Sequence, residues 1–255
     1  MEITFDEFYT FTSNITLEAS DMIASSLQNK ISSRVKSDGT IVTEADLQIE
    51  SHIRKAIEVS YPNHAIVGEE FGDRVKSSRY TWVIDPIDGT FSYNLGVPFF
   101  GTLIGLLDNG IPLYGAMRLP LLNQMIAGDG LQCMLNQNPC TVKIFDNWEN
   151  SLILTTDEGT ILRSSYREAW DQLRKTNANF RTWGDCYGYY LLVTGKADAM
   201  LDISLKPCDI LPLIPILKGA GAKIIDLGRE SFCDLIACLP EMESEIQSFF
   251  GKQIK

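Results

Sequence analysis

Trp82-Val83-Ile84-Asp85-Pro86-Ile87-Asp88-Gly89-Thr90 is the stretch that organises the rest of the chain. Trp82-Val83-Ile84 has the texture of a buried strand, and it delivers Asp85 at its C-terminal end. Pro86 lacks the N–H a ladder needs and is expected to stop the strand. Asp88 follows three residues after Asp85, where a turn can bring both carboxylates into one space. Gly89 permits close approach of the backbone. Thr90 can open a helix, whose first N–H groups attract phosphate. Two carboxylates in one space repel unless a divalent cation joins them. An ordinary Asp-Pro and Asp-Gly turn would use the same residue types, so this segment alone leaves both readings open.

Outward toward the N-terminus, Tyr80-Thr81 extends the strand, and Ala65-Ile66-Val67 reads as another one leading to Gly68-Glu69-Glu70. Helical spacing of Ile49, Ile53, Ala56 and Ile57 predicts a helix from Glu44 to Ser60, stopped by Tyr61-Pro62-Asn63. Thr43 and Asp46 match a capping box at its start. A loop, Val35 to Thr40, precedes it, and a first helix is expected from Phe5 to about Gln28. Toward the C-terminus, Phe100–Leu107 and Ile111–Met117 flank Asp108-Asn109-Gly110, and Gln124–Ala127 and Gln132–Leu135 flank Gly128-Asp129-Gly130. Two hairpins in succession make a meander, so the first sheet should be largely antiparallel.

From Ser151 strands and helices alternate. Strands are expected at Leu152–Thr155, Ala199–Leu201, Lys223–Ile225 and Phe232–Cys238. Helices are expected at Ile161–Lys175, Tyr187–Thr194, Pro207–Lys218 (kinked or late-starting, because of Pro212 and Pro215) and Pro240–Phe250. The reading is an α+β lobe of about residues 1–150 and an α/β lobe of about 151–255, without a linker and therefore one folding unit.

Composition bounds the function. The chain has 255 residues with 45% hydrophobic and 22% charged residues, which suits a packed globular core. Its formal net charge of -11 disfavours broad nucleic-acid binding. No apolar run reaches the ~18 residues a bilayer span needs. The N-terminal residues from Met1 to Asp6 carry no positive region before an apolar stretch, so no secretory signal is expected and the chain reads as cytoplasmic. The six cysteines form no C-x-x-C pair and read as reduced core residues. With only His52 and His64, both read as structural or surface groups, triad chemistry is disfavoured.

Further acidic sites join the first. Glu69 sits just past a strand, Asp46 in the first turn of a helix, and Asp209 in Lys206-Pro207-Cys208-Asp209 near another helix start. Together with Lys36, Gly184 and Gly219-Ala220-Gly221-Ala222-Lys223-Ile224-Ile225-Asp226, these segments stand in the order of the inositol monophosphatase family, which the chain resembles along nearly its whole length. That resemblance implies alternating helix and sheet layers, an αβαβα sandwich of the inositol monophosphatase and fructose-1,6-bisphosphatase type. It implies a homodimer and a Mg²⁺-dependent, lithium-sensitive phosphomonoesterase with two or three Mg²⁺ per site. Glu69, Asp85 and the Ile87 carbonyl would hold one metal, Asp85, Asp88 and Asp209 a second, and a third would lie near Glu69. Thr90, Asp46 and Glu69 would be catalytic, and the Gly89 and Thr90 N–H groups would hold phosphate. Metal-bound water needs no strong protein base, which accounts for the missing histidine.

The stretches Gly184-Asp185-Cys186-Tyr187-Gly188 and Leu205-Lys206-Pro207-Cys208-Asp209 resemble the histidinol-phosphate phosphatase branch of that family. Asp185 and Asp202 would be counter-ions for a cationic leaving group, whereas inositol needs only hydroxyl partners. Capping of the helix at Tyr187 by Asp185, and a strand end at Asp202, are the structural alternatives. Tyr187, Tyr189 and Tyr190 could line a ring pocket or pack in the core. Inositol-1-phosphate and a nucleotide 3′-phosphate remain alternative substrates. A non-catalytic family member would have broken ligands, and a glycosidase-type carboxylate pair would not need the third and fourth acids.

Overall fold

Each of the two N-terminal helices starts on a threonine that caps it. Thr4 and Glu7 form a reciprocal box at the start of α1 (Phe5–Leu27), and Thr43 and Asp46 form another at the start of α2 (Glu44–Ser60). The computed structural model describes residues 2–28, 32–36, 39, 41–74, 76–228 and 232–251. Met1, and Ser37, Asp38 and Thr40 of the expected loop, lie outside the described residues.

Between the two helices β1 (Ser33–Val35) pairs antiparallel with β2 (Ile41–Thr43). The chain then runs through β3 (Ala65–Gly68), β4 (Tyr80–Asp88), α3 (Thr90–Asn94), β5 (Gly101–Asp108), β6 (Ile111–Leu119), β7 (Gln124–Gly128), β8 (Cys133–Leu135) and β9 (Asn138–Pro139). These strands form a seven-stranded sheet in sequence order, with β3 and β4 parallel and every later neighbour antiparallel. The second part contains β10 (Leu152–Leu154), α4 (Glu158–Arg163), α5 (Arg167–Leu173), β11 (Asn179–Arg181), α6 (Asp185–Val193), β12 (Ala199–Asp202), α7 (Pro207–Ile210), α8 (Leu213–Gly219), β13 (Lys223–Asp226), β14 (Leu235–Cys238) and α9 (Glu243–Phe250). Its five-stranded sheet has the order β11-β10-β12-β14-β13, parallel around β10 and antiparallel around β14.

The layers follow from which faces are apolar. Phe8, Ile15 and Ile23 of α1 and Ile49, Ile53 and Ile57 of α2 pack on Trp82, Ile84, Ile104 and Leu106 of the large sheet. The other face of that sheet, through Leu103, Met117 and Ile126, meets Leu192 of α6 and Ile214, Ile216 and Leu217 of α8. The same core continues through Met200 and Ile236 of the small sheet to Trp170 of α5 and Ile246 and Phe250 of α9. Helices and sheets therefore alternate, as expected, and burial of these faces is the main stabilising term.

Four local departures have identifiable causes. Pro86 does not end β4: the register against β5 shifts between Asp85 and Asp88, and this bulge takes Pro86 out of the ladder. The expected Ile161–Lys175 helix is split, because the Ser164 hydroxyl bonds the Ile161 carbonyl and accepts from the Tyr166 N–H, in competition with the helix ladder. The expected Pro207–Lys218 helix is two pieces, broken at Leu211-Pro212. The helix expected at Tyr187 starts at Asp185, and its N-cap position is Gly184, so Asp185 is the first helical residue rather than the cap.

None of the six cysteines is in a disulfide; four are buried and Cys140 and Cys233 are half-buried. His64 accepts from the Trp82 indole N–H at 3.1 Å, and His52 pairs with Glu18.

Candidate functional site

The β4 bulge, the start of α6, the residues before α7 and the ends of β10 and β12 surround one cleft of about 640 Å³. Glu69, Asp85, Ile87, Asp88, Gly89, Thr90, Asp185, Asp202 and Asp209 all line it. Of the expected site residues only Asp46 stands behind the lining, joined to it through Thr90. Neither histidine lines it.

One end of the cleft is a carboxylate cluster. Oxygens of Asp85, Asp88 and Asp209 lie within 4.8 Å of one another, and those of Glu69 and Asp85 lie within the same range of the Cys208 sulfur. Asp85 Oδ1 is buried and has no hydrogen-bond partner. Burial, followed by the charges of Glu69, Asp88 and Asp209, pushes Asp85 well above the usual carboxylate range. Burial and then Asp185 and Asp209 do the same to Asp88. A set of hard oxygen donors, one of them orphaned, under mutual repulsion, fits a divalent cation such as Mg²⁺. Cys208 fits it poorly as a ligand: burial, then the Asp85 and Asp209 charges, keep its thiol protonated, and it donates to Asp209 Oδ1 at 3.3 Å.

The Glu69 turn is held by residues that the sequence reading did not assign to the site. Glu50 is fully buried on α2 and accepts from the N–H groups of Glu70 at 2.7 Å and Phe71 at 3.3 Å. Arg54, one helical turn on, pairs with it at 2.7 Å. A Cβ at Gly68 would stand 2.1 Å from Glu50 Oε1, so a side chain there would displace the Glu50 carboxylate from this brace. On the cleft side, Lys36 and Lys206 donate to Glu69 Oε1 at 3.2 and 3.1 Å. The spacing of Glu50 and Arg54 was the available signal for this brace.

Thr90 opens α3 behind Gly89, which has a φ of 90° and whose Cβ would stand 2.7 Å from the Phe99 carbonyl. The Thr90 hydroxyl lies 2.9 Å from the Ile87 carbonyl and 3.4 Å from Asp46 Oδ1. Asp46 Oδ2 is occupied by the Thr43 N–H and hydroxyl, at 2.7 and 2.5 Å. Burial raises the Asp46 pKa against the opposing pull of the Thr43 bonds. Capping and an orientation toward Thr90 therefore coexist in one side chain.

The wall of the cleft beside Asp88 is acidic too. Asp202 ends β12 and accepts the Thr156 N–H at 2.9 Å through Oδ1. Asp185 adopts a φ of 49°, and its own N–H donates to Thr156 Oγ1 at 2.8 Å. The next N–H, of Cys186, donates to Asp88 Oδ2 at 2.5 Å. Burial, followed by the Asp209 charge, pushes Asp185 up to about 7, and burial pushes Asp202 to about 7. Tyr189 lines this wall, whereas Tyr187 stacks on Phe99 at 4.4 Å and Tyr190 packs in the core.

Layered sheets with a carboxylate cluster where a bulged strand, a Glu-bearing turn and a late aspartate meet describe a phosphoric monoester hydrolase of the metal-dependent kind. The chain belongs to the inositol monophosphatase family, whose model matches residues 5–245. It is 35% identical over 201 residues to the histidinol-phosphatase of Chlorobaculum parvum, covering 78% of each chain. It is 36% identical over 201 residues to the chloroplastic bifunctional phosphatase IMPL2 of Arabidopsis thaliana, covering 77% of this chain and 58% of that one. The solved structure of an inositol monophosphatase from Zymomonas mobilis superposes with a TM-score of 0.84 at 26% identity, covering 98% of this chain and all of that one. The family is generally Mg²⁺-dependent. Among the described residues, no helix is long and apolar enough to cross a membrane.

Proposed function

We propose that this phosphatase hydrolyses histidinol phosphate, with Glu69, Asp85, Asp88, Asp209 and the Ile87 carbonyl holding two or three Mg²⁺. The observation that carries the substrate choice is the further acid beside the cluster: Asp185 and Asp202 line the same cleft, and burial pushes both up to about 7. A neutral polyol can donate hydroxyls to such groups, whereas an amine- and imidazole-bearing alcohol can also compensate their charge. The likeness to a histidinol-phosphatase supports the same reading.

Bound cations would lower the pKa of a coordinated water and offset charge on the phosphoryl oxygens. The protein's part is orientation and proton handling. The Thr90 hydroxyl, between the Ile87 carbonyl and Asp46, is placed to hold the attacking water. Asp46, with its pKa raised by burial, is placed to receive the proton through Thr90. Glu69 has the alternative of steering that water, and the Gly89 and Thr90 N–H groups would hold the phosphate.

Inositol-1-phosphate is the second reading, favoured by the likeness to the Zymomonas mobilis enzyme along the whole chain. The test is a side-by-side assay of histidinol phosphate, inositol-1-phosphate and adenosine bisphosphate, with Mg²⁺ and with chelator. The expected result is a specificity constant for histidinol phosphate at least about tenfold above the others, lost in chelator and restored by Mg²⁺. Preference for inositol-1-phosphate would overturn the substrate, and full turnover in chelator would overturn the metal scheme.

A further inference from the structure

Two thiols face each other outside the cleft. Cys133 opens β8 and Cys140 follows β9, and their sulfurs lie 3.2 Å apart. The two strands pair with Met134 opposite Pro139 and Leu135 opposite Asn138, so the next facing pair is Cys133 and Cys140. The Cys140 N–H donates to the Cys133 carbonyl at 2.9 Å, which extends the ladder to that pair. Asn136 and Gln137 make the turn, with φ of 47° and 69°, and fix this register. Cα atoms facing each other across such a hydrogen-bonded pair stand about 5.5 Å apart, inside the ~4.4–6.8 Å that a disulfide spans. The buried thiols near the cleft have other partners: Cys208 donates to Asp209 Oδ1 at 3.3 Å, and Cys186 to the Asp88 carbonyl at 3.9 Å.

The pair is asymmetric. Cys133 is buried, whereas Cys140 is half-buried and open to small solutes. The hydrogen bond between them, aided by burial, raises the Cys133 pKa, and the same bond lowers that of Cys140. Thiolate is the attacking form, which makes Cys140 the entry point and Cys133 the resolving thiol.

We infer that Cys133 and Cys140 are a dithiol modification site that takes low-molecular-weight disulfides of the glutathione class and closes into a reversible cross-strand disulfide. In the first step Cys140 attacks one sulfur of the external disulfide, breaks its S–S bond and releases one thiolate. In the second, Cys133 gives up its proton to that thiolate, attacks Cys140 Sγ and expels the other half. Two protein thiols are oxidised, and the external disulfide takes two electrons and two protons to become two thiols. The new bond falls at a support point of the fold. β9 is the outermost strand of the large sheet, and the segment around the hairpin holds the C-terminal end of α8. A Cβ at Gly219 would collide with the Gln132 carbonyl, and the Val142 N–H donates to the Ala220 carbonyl at 2.9 Å. Neither cysteine lines the cleft, so the modification acts on the stability of the layers rather than on the chemistry.

The experiment treats the Mg²⁺-loaded protein with oxidised glutathione, alkylates it, digests it with trypsin and weighs the peptide of residues 119–143, which carries both cysteines and no other. The expected peptide is unalkylated and lighter by two hydrogens than the reduced one, and dithiothreitol restores both alkylation sites. The melting temperature should rise by roughly 5 °C on oxidation, because closing a short loop removes entropy from the unfolded chain. Cys133→Ser should hold glutathione on Cys140 and show no such rise, because no resolving thiol remains. Cys140→Ser changes the half-buried position, should take up no glutathione in that peptide, and keeps the test open if Cys133→Ser fails to fold. Two alkylated cysteines in the oxidised wild-type peptide overturn the inference. Glutathione left standing on wild-type Cys140 overturns it as well, since Cys133 would then not reach it. No rise in the oxidised wild type, or a rise of the same size in either variant, overturns the stabilising role.

Discussion

Thr90 has one hydroxyl proton and two acceptors, the Ile87 carbonyl at 2.9 Å and Asp46 Oδ1 at 3.4 Å. In the resting protein the shorter bond takes the proton, which leaves an oxygen lone pair to orient water. Thr90→Ala should therefore lower turnover by ~10²–10⁴-fold while binding of inorganic phosphate persists, checked by steady-state kinetics and calorimetry. Loss of phosphate binding along with rate would make Thr90 a local cap and nothing more. Single residues were legible in the sequence where local chemistry marked them. Asp85 and Asp88 stood out because an apolar strand, a proline and a glycine frame them, and Asp46 because Thr43 precedes it by three. Glu50 did not, because next to Ile49 on an amphipathic helix a glutamate reads as a flank. Only the fold, which lays the Glu69 turn against α2, reveals it as fully buried.

The turn carrying Glu69, proposed above as a metal ligand, is only as well placed as the helix behind it. The Glu50 carboxylate receives two backbone N–H groups from the turn and pairs with Arg54, and Arg54 in turn bonds the Gly72 carbonyl. Glu50→Gln keeps the shape but turns one acceptor oxygen into a donor. It should cost about 10–100-fold in Mg²⁺ affinity by calorimetry, with turnover at saturating Mg²⁺ much less affected, because outer partners of metal ligands act through orientation. Unchanged affinity would show that the turn holds itself. At this scale the sequence carried element starts well and interruptions badly. The bounds of α2 follow from Thr43 and from Tyr61-Pro62. The break at Ser164 depends on a hydroxyl choosing a backbone partner, and the passage of β4 through Pro86 depends on a bulge against β5. Neither choice is written in hydrophobic periodicity.

Across the whole molecule, the layer order was legible chiefly through family resemblance, since periodicity alone does not say which sheet face α8 covers. The electrostatics of the cleft are likewise a property of the assembled layers. In the unfolded chain Asp185 and Asp202 titrate near 3.8, and in the fold near 7. Asp46, Asp85, Asp88 and Asp209 are shifted in the same direction. Below about 3.8 both states hold these protons and the contribution to stability is fully present. Between that point and about 7 the folded state retains protons that the unfolded state has released, so rising pH removes stability from the metal-free protein. Mg²⁺ should counter the loss by supplying the missing charge. The gap between melting temperatures with Mg²⁺ and with chelator should therefore widen from pH 5 to pH 8, and a gap independent of pH would contradict this account. One further feature spans the same distance. At the start of α6 two successive N–H groups part company: Asp185 donates to Thr156, which follows β10 in the small sheet, and Cys186 donates to Asp88 on β4 in the large one. The Thr156 N–H continues the line to Asp202. These three amides are built-in spectroscopic reporters, one bonded to Asp88 of the carboxylate cluster and two within the Thr156–Asp202 wall. In a nitrogen-15 correlation spectrum they separate the filling of the carboxylate cluster from the filling of that wall, without a label on any ligand.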